Sequence, residues 1–296
     1  MVMKAQFATL PDGRAHFSHG PIDVIAQADA PVPVARERAI RTAWNRFQGV
    51  LEELCSELPI LRSPDRTKWA CLQGPVAKRM AVAVSDFEAF ITPMAAVAGA
   101  VADELRDLIC NETQIRRAIV NNGGDVSLYL APGQECRIGL VSVPDAGLSG
   151  SSLRISADDD IQGIATSGWR GRSHSLGIAD AVTVAAADCA TADAAATIIA
   201  NAIDLPGHPG VRRSPASELS PDSDLGDLLV TTNVAPLSAD DARMALSRGW
   251  SFASELVAHG AIHSAAMSLC GETMVADHLG QGPPTKTSSV RRRPTL

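Results

Sequence analysis

The segment Ala179–Ala202, ADAVTVAAADCATADAAATIIANA, contains no aromatic side chain and nothing bulkier than isoleucine. Thr92–Asp103, TPMAAVAGAVAD, is built in almost the same way. Side chains this small reach the density of a protein interior only if the backbones that carry them approach closely. Aromatic residues make up 4% of the chain while apolar residues make up 46%, so this style of packing extends through much of the core. At 296 residues the chain is long enough to bury a sizeable core. The expectation is one unit over residues 1–279, or two packed subdomains, followed by a disordered tail over 280–296.

The hydrophobic pattern reads as strands in runs separated by helices. His16–Ala28 is expected to form two short strands around Gly20-Pro21. Ile40, Trp44, Phe47, Leu51, Leu54 and Leu58 recur at spacings of three and four, which places them on one helical stripe that Pro59 and the run Arg62-Ser63-Pro64-Asp65 should end. Gly74–Met80 reads as a basic loop. Thr92-Pro93 has the form of a helix start, opening a helix to about Cys110. Strand-like segments follow at Ala118–Val120, Val126–Leu130, Arg137–Val143, Leu153–Ser156, Ile161–Ala165 and Ala179–Ala187. Thr191 then caps a helix to about Ala202. Leu205–Leu237, rich in Pro, Asp and Ser, is an ordered excursion. Ser238 caps a further helix to about His259, and one last strand spans Ile262–Ala276. Runs of strands without strict β-α alternation predict an α+β fold, mostly antiparallel sheet packed with helices.

Composition excludes several classes. A net charge of −7 gives no electrostatic basis for binding nucleic acid or an anionic membrane. The six cysteines are scattered without a Cys-x-x-Cys, the pattern of free thiols in a reducing cytoplasm, and a structural zinc site is not expected. Met1–Ala8 lacks an apolar signal core and no apolar run reaches spanning length, so a cytoplasmic location is expected.

Three polar turns carry the chemistry. Asn122-Gly123-Gly124-Asp125 lies between two strands, where glycine lets the backbone come close to a bound group. As a hairpin turn alone it is equally ordinary. Ala165-Thr166-Ser167-Gly168 ends a strand in two hydroxyls and a glycine, a backbone arrangement suited to anions. Arg170, Arg172 and His174 follow it, either as pyrophosphate partners or as solvated surface charge. Asp193 and Thr197 lie four apart on one helix face, a carboxylate and a hydroxyl that suit Mg²⁺. A helix-dipole carboxylate is the alternative for Asp193. The Asp222/Asp224 loop lacks EF-hand spacing and reads first as solvated.

Taken together, NNGGD, GIATSG and ADAAAT resemble the ApbE-like FAD:protein FMN transferases in order and spacing. HGPID, GPVAKRM, TPMAAVAGAVAD, SLGIADAVTV and PDSDLG extend the likeness over nearly the whole chain to an uncharacterised branch of that superfamily. The resemblance implies the ApbE-like α+β fold, Mg²⁺ at Asp193 and Thr197, and an FAD or FMN pocket lined by Asn122, Gly123, Gly124, Asp125, Ala165, Thr166, Ser167, Gly168 and Arg172. It implies a nucleotide or heterocyclic ligand and a flavoprotein acceptor as partners, with His174 and Asp180 as catalytic candidates. Where the transferases carry a lysine the chain reads Ala98-Gly99-Ala100, and their His-x-x-Asp-Pro segment is reduced to His174-Ser175-Leu176-Gly177. Those departures keep two alternatives open: a metabolite enzyme using His174, Asp180 and the Asp222/Asp224 loop, and a non-catalytic flavoenzyme assembly factor.

Overall fold

Strict alternation of buried and half-exposed residues in Ala15–His19 and Ile22–Asp29 produces two strands (β2, β3), each with one face on a core. They belong to a sheet seen in a computed structural model that describes residues 4–139 and 152–278. The short strand Gln6–Thr9 (β1) pairs with β2 at the sheet edge. Arg117–Asn122 (β4), Asp125–Leu130 (β5), Gly163–Ser167 (β8), Ala181–Ala186 (β9), Ser264–Leu269 (β12) and Glu272–Asp277 (β13) complete it. The order is β1-β2-β3-β4-β5-β8-β9-β12-β13, antiparallel at every junction. The α+β class with mostly antiparallel sheet stands.

Four helices form a layer on one face: Pro33–Leu61 (α1), Val97–Cys110 (α4), Cys189–Ala202 (α5) and Ala239–Ala258 (α7). The hairpin Glu135–Gly139 (β6) and Ser152–Ser156 (β7) covers part of the other face, where Leu128, Ile155 and Ile164 make a smaller core. Leu128 and Leu130 face that hairpin, so Asp125, Ser127 and Tyr129, which alternate with them, face the helices. This parity sends a carboxylate and a hydroxyl into the helix–sheet seam.

Several boundaries depart from the pattern-based expectations. Of the two expected stops for α1, Pro59 lies inside the helix, which ends at Leu61, where the run Arg62-Ser63-Pro64-Asp65 begins. A proline in a last turn removes one hydrogen bond, and the fully buried Leu61 holds the chain in helical register beyond it. Gly74–Met80 is not a loop: Pro75–Val84 is a helix (α3), and Val76, Ala77, Met80, Ala81 and Val84 form its buried stripe. Its entry is fixed by Glu57, which accepts from the amides of Gln73 and Gly74. Thr92 does not cap by its side chain; a 3-10 turn, Pro93–Ala96, precedes α4. Asp188, not Thr191, is the N-cap of α5, accepting from the Thr191 amide and hydroxyl. The last segment is a hairpin turning at Cys270-Gly271 rather than one strand. The excursion holds Val211–Pro215 (β10), the single turn Ala216–Leu219 (α6) and Leu229–Val234 (β11), while Arg66–Trp69 (α2) is a single turn after α1. The proposed strand end at 140–143 and the tail at 280–296 lie outside the described residues.

The close approach implied by the alanines is realised at glycines. A Cβ on Gly99 would sit 2.3 Å from the Cys189 carbonyl oxygen, and one on Gly163 would sit 2.2 Å from the Asp188 backbone. Gly49, mid-helix in α1, has nothing within 4 Å. Gly99→Ala is therefore expected to destabilise the fold by about 1–3 kcal/mol through overpacking. Gly49→Ala should stabilise it by about 0.5–1 kcal/mol through helix propensity. Urea denaturation of the two variants checks both signs; equal effects would contradict the close contact between α4 and α5.

Candidate functional site

Helix α5 is buried on nearly every side, and the stripe left half-buried is polar: Asp193, Thr197 and Asn201, each four residues apart. Asp193 Oδ2 accepts from the Gly99 amide at 3.0 Å. The start of α4 thus supplies a backbone donor to the middle of α5. Asn122 is buried and donates from Nδ2 to the Ala98 carbonyl at 3.0 Å, tying the β4–β5 turn to the same backbone.

Asp125 closes the group. It is buried, and its Oδ1 accepts from the Thr166 amide at 3.2 Å; its second oxygen has no donor among the described residues. Burial pushes its carboxyl up to about 7, against the pull of the Thr166 amide. Burial and then the nearby Asp125 charge push the Asp193 carboxyl well above the ordinary carboxylate range. Neither carboxylate forms an ion pair with a side chain among the described residues. With Asp125 buried and Asp193 half-buried, each charge disfavours the other, and a proton or a cation between them lowers that cost.

The turns expected to meet here do meet. Gly123 and Gly124 both have positive φ, which glycine adopts without strain, and the Gly123 amide donates to the Asp23 carbonyl. Arg172 Nη1 lies 3.8 Å from where a Gly123 Cβ would be, so the guanidinium sits over the glycine turn. Arg172 has no ion-pair partner among the described residues. Thr166 enters through its backbone, because its hydroxyl pairs with that of Thr183 at 2.9 Å on strand positions alternating with the buried Ala165 and Val184. Ala165 is wholly in the core. Ser167 shares its strand face and is half-buried, and Gly168 packs against the Asp180 carbonyl.

Asp180 is buried and fully engaged. It accepts from Arg170 Nε at 2.8 Å, Trp169 Nε1 at 3.3 Å and the Cys270 amide at 2.7 Å. It pins the 168–170 turn to the β12–β13 turn, and Arg170, stacked on Trp169, is held with it. His174 is half-buried, one residue from Ser175, whose hydroxyl and neighbouring Leu176 amide bond to Asn201 Oδ1. Asn201 was not read from the sequence, although its spacing from Asp193 in an apolar helix marks it. Asp103 was likewise passed over. The Thr92 hydroxyl donates to Asp224, and the Thr231 amide to the Ser175 carbonyl, so the excursion packs on both sides of this region.

The donor set suits a hard divalent cation. Among the described residues no group of three or more His, Cys, Asp or Glu could hold a metal ion. A cation would take two carboxylates and complete its coordination with the Thr197 hydroxyl, carbonyls and waters, a mixed oxygen set that Mg²⁺ accepts. A cavity of about 430 Å³ lies elsewhere, between Asp12–Arg14, β3 and Arg36.

The class is therefore an α+β protein with a desolvated acidic pair at the seam between its helices and antiparallel sheet. The chain belongs to the family described as AbpE bacteria, whose family model matches residues 7–275. A UPF0280 protein of Methanothrix thermoacetophila is 36% identical over 130 residues, 44% of this chain and 52% of that protein. A UPF0280 protein of Methanopyrus kandleri is 41% identical over 128 residues, 43% and 48% of the two chains. The chain spans about half the length of these curated relatives. Among solved structures, the ApbE protein of Thermotoga maritima superposes with a TM-score of 0.46 at 12% identity, covering 94% of this chain and 98% of that one. The apo flavinyl transferase ApbE of Pseudomonas stutzeri gives 0.39 at 12% identity, covering 93% and 94%. Among the described residues no helix is long and apolar enough to cross a membrane.

The acid pair has a pH signature. Asp125 is raised from an ordinary 3.8 to about 7, so between those values the folded chain binds a proton that the unfolded chain has released. Cation-free stability therefore falls as pH rises through that window and is greatest below it. Asp125→Asn is expected to flatten this dependence and to melt above the parent at pH 8 in chelator. Melting curves that stay parallel from pH 5 to 8 would contradict a desolvated Asp125.

Proposed function

We propose that the chain binds a flavin nucleotide together with Mg²⁺ at the Asp125–Asp193 seam and transfers FMN from FAD to a hydroxyl of a partner protein. One observation carries the reading: Asp125, held by the Thr166 amide, and Asp193, held by the Gly99 amide, both lack an ion-pair partner among the described residues, while Arg172 sits over the adjoining Gly123 turn. Family membership and the three-motif resemblance supply the flavin. In this reading the metal neutralises pyrophosphate charge and stabilises the leaving phosphate.

The chain's own groups do the rest. Asp193, Asp125 and Thr197 would hold the cation, and Asn122 fixes the Ala98 backbone whose neighbour Gly99 bonds Asp193. The glycine turn lets a phosphate approach the backbone, and Arg172 offers paired N–H donors to its oxygens. Ser167 and Gly168 form the opposite lip, with Asp180 keeping that lip in place. The acceptor hydroxyl oxygen bonds to the FMN-side phosphorus, the phosphoanhydride bond breaks, AMP leaves, and His174 takes the hydroxyl proton. Ala98 stands where the transferases have lysine, so Arg172 is the positive group left to meet the phosphates.

The contact between Thr92 and Asp224 favours one second reading. It sets the acidic excursion against the turn that leads into α4, where a metabolite enzyme would have a further carboxylate to use. Titration of FAD with and without Mg²⁺, followed by assay of AMP, separates the readings. The expected result is saturable, Mg²⁺-dependent FAD binding that Asp193→Ala weakens at least about tenfold, with AMP released when an acceptor is present. Binding without AMP release would identify an assembly factor. Indifference to FAD with a bound cation would support the metabolite enzyme and overturn the flavin assignment.

A further inference from the structure

We propose that Asp103 is the positioning residue of the Asp125–Asp193 site, one carboxylate that fixes the three elements from which that site is built. The proposal rests on the cation reading above and adds a residue that touches no ligand. Asp103 is fully buried in α4. Its Oδ1 accepts from the Ser127 hydroxyl at 2.5 Å and from the Cys189 amide at 3.2 Å, and its Oδ2 accepts from the Ala190 amide at 2.9 Å. Among the described residues no other side chain hydrogen-bonds to both β5 and α5.

Each of those contacts lies one structural repeat from a site group. Gly99, whose amide holds Asp193, is one helical turn before Asp103 in α4. Asp125 is two residues before Ser127 on β5, so both side chains leave the same face. Asp193 is one turn after Cys189 on α5. A shift at Asp103 therefore moves the Gly99 amide, Asp125 and Asp193 relative to one another.

The contact is also complete. The first amides of α5 have no partner within the helix. Asp103 takes those of Cys189 and Ala190, while Asp188 takes those of Thr191 and Ala192. Arg106 at 3.5 Å and Arg79 at 4.0 Å balance the Asp103 charge. Wholly buried and already engaged by three donors and two arginines, Asp103 is set to orient other elements.

The test measures Mn²⁺ affinity and the electron paramagnetic resonance spectrum of the bound ion in the full chain. Four variants are compared with the parent: Asp125→Asn, Asp103→Asn, Ser127→Ala and Asp107→Asn. Asp103→Asn keeps the shape but cannot accept from all three donors. Ser127→Ala removes only the link to β5 and leaves the α5 amides and the arginines paired, so it reports even if Asp103→Asn fails to fold. The expected result is Mn²⁺ affinity lowered about tenfold or more in Ser127→Ala with an altered spectrum, as orienting partners of metal ligands typically cost. Asp107→Asn, which loses pairs to Arg79 and Arg106 but no contact to α5, should leave both affinity and spectrum as in the parent. Parent binding that Asp125→Asn abolishes and Ser127→Ala leaves unchanged would overturn the positioning role alone. A parent chain that takes up no Mn²⁺ would overturn the cation site, and the proposal with it.

Discussion

No side chain fits between Gly99 and the carbonyl of Cys189, and the rest of the molecule depends on that contact. It brings the first turn of α4 against the first turn of α5, so that backbone amides of one helix reach a carboxylate of the other. The surrounding alanines serve the same end. They let two helices and the sheet below them meet without bulky side chains, and the polar groups at the seam are then desolvated by backbone rather than by an aromatic wall.

Desolvation gives the site its chemistry. A carboxylate in water has little need of a partner; one buried beside another is costly to ionise. The fold accepts that cost at Asp125 and Asp193 while pairing most other buried charge, including Asp103 with Arg106 and Asp180 with Arg170. The contrast separates carboxylates that hold the structure from those left to hold something else. Amides of Gly99 and Thr166 donate to the pair, limiting where the carboxylates can point.

Much of this was visible before any coordinates. The motifs NNGGD and ATSG are short and local, and neighbouring strands join them through Asp125 and the Thr166 amide, while Asp193 reaches Asn122 through the Ala98–Gly99 backbone. The strands around them were legible from alternation. Less visible was which atom of each motif matters: Thr166 offers its amide, because strand parity turns its hydroxyl towards Thr183. Asp125 was read as part of a turn, and only the burial pattern of β5 shows that it faces the helices beside Asp193. Asp103 was hidden among alanines, since its partners are at residues 127, 189 and 190. The basic stretch Gly74–Met80 was misread because two charged residues masked an apolar helical stripe. The cap of α5 was placed three residues late because Asp188 and Thr191 are both good caps and bond to each other.

The central claim is that Asp125 and Asp193 jointly ligate one divalent cation. Anomalous diffraction from crystals grown with Mn²⁺ above pH 8 tests it most directly. The account requires a single peak within ligating distance of both carboxylates, close to the Thr197 hydroxyl. A map with no peak there, the two carboxyl groups instead joined by a hydrogen bond, would contradict it.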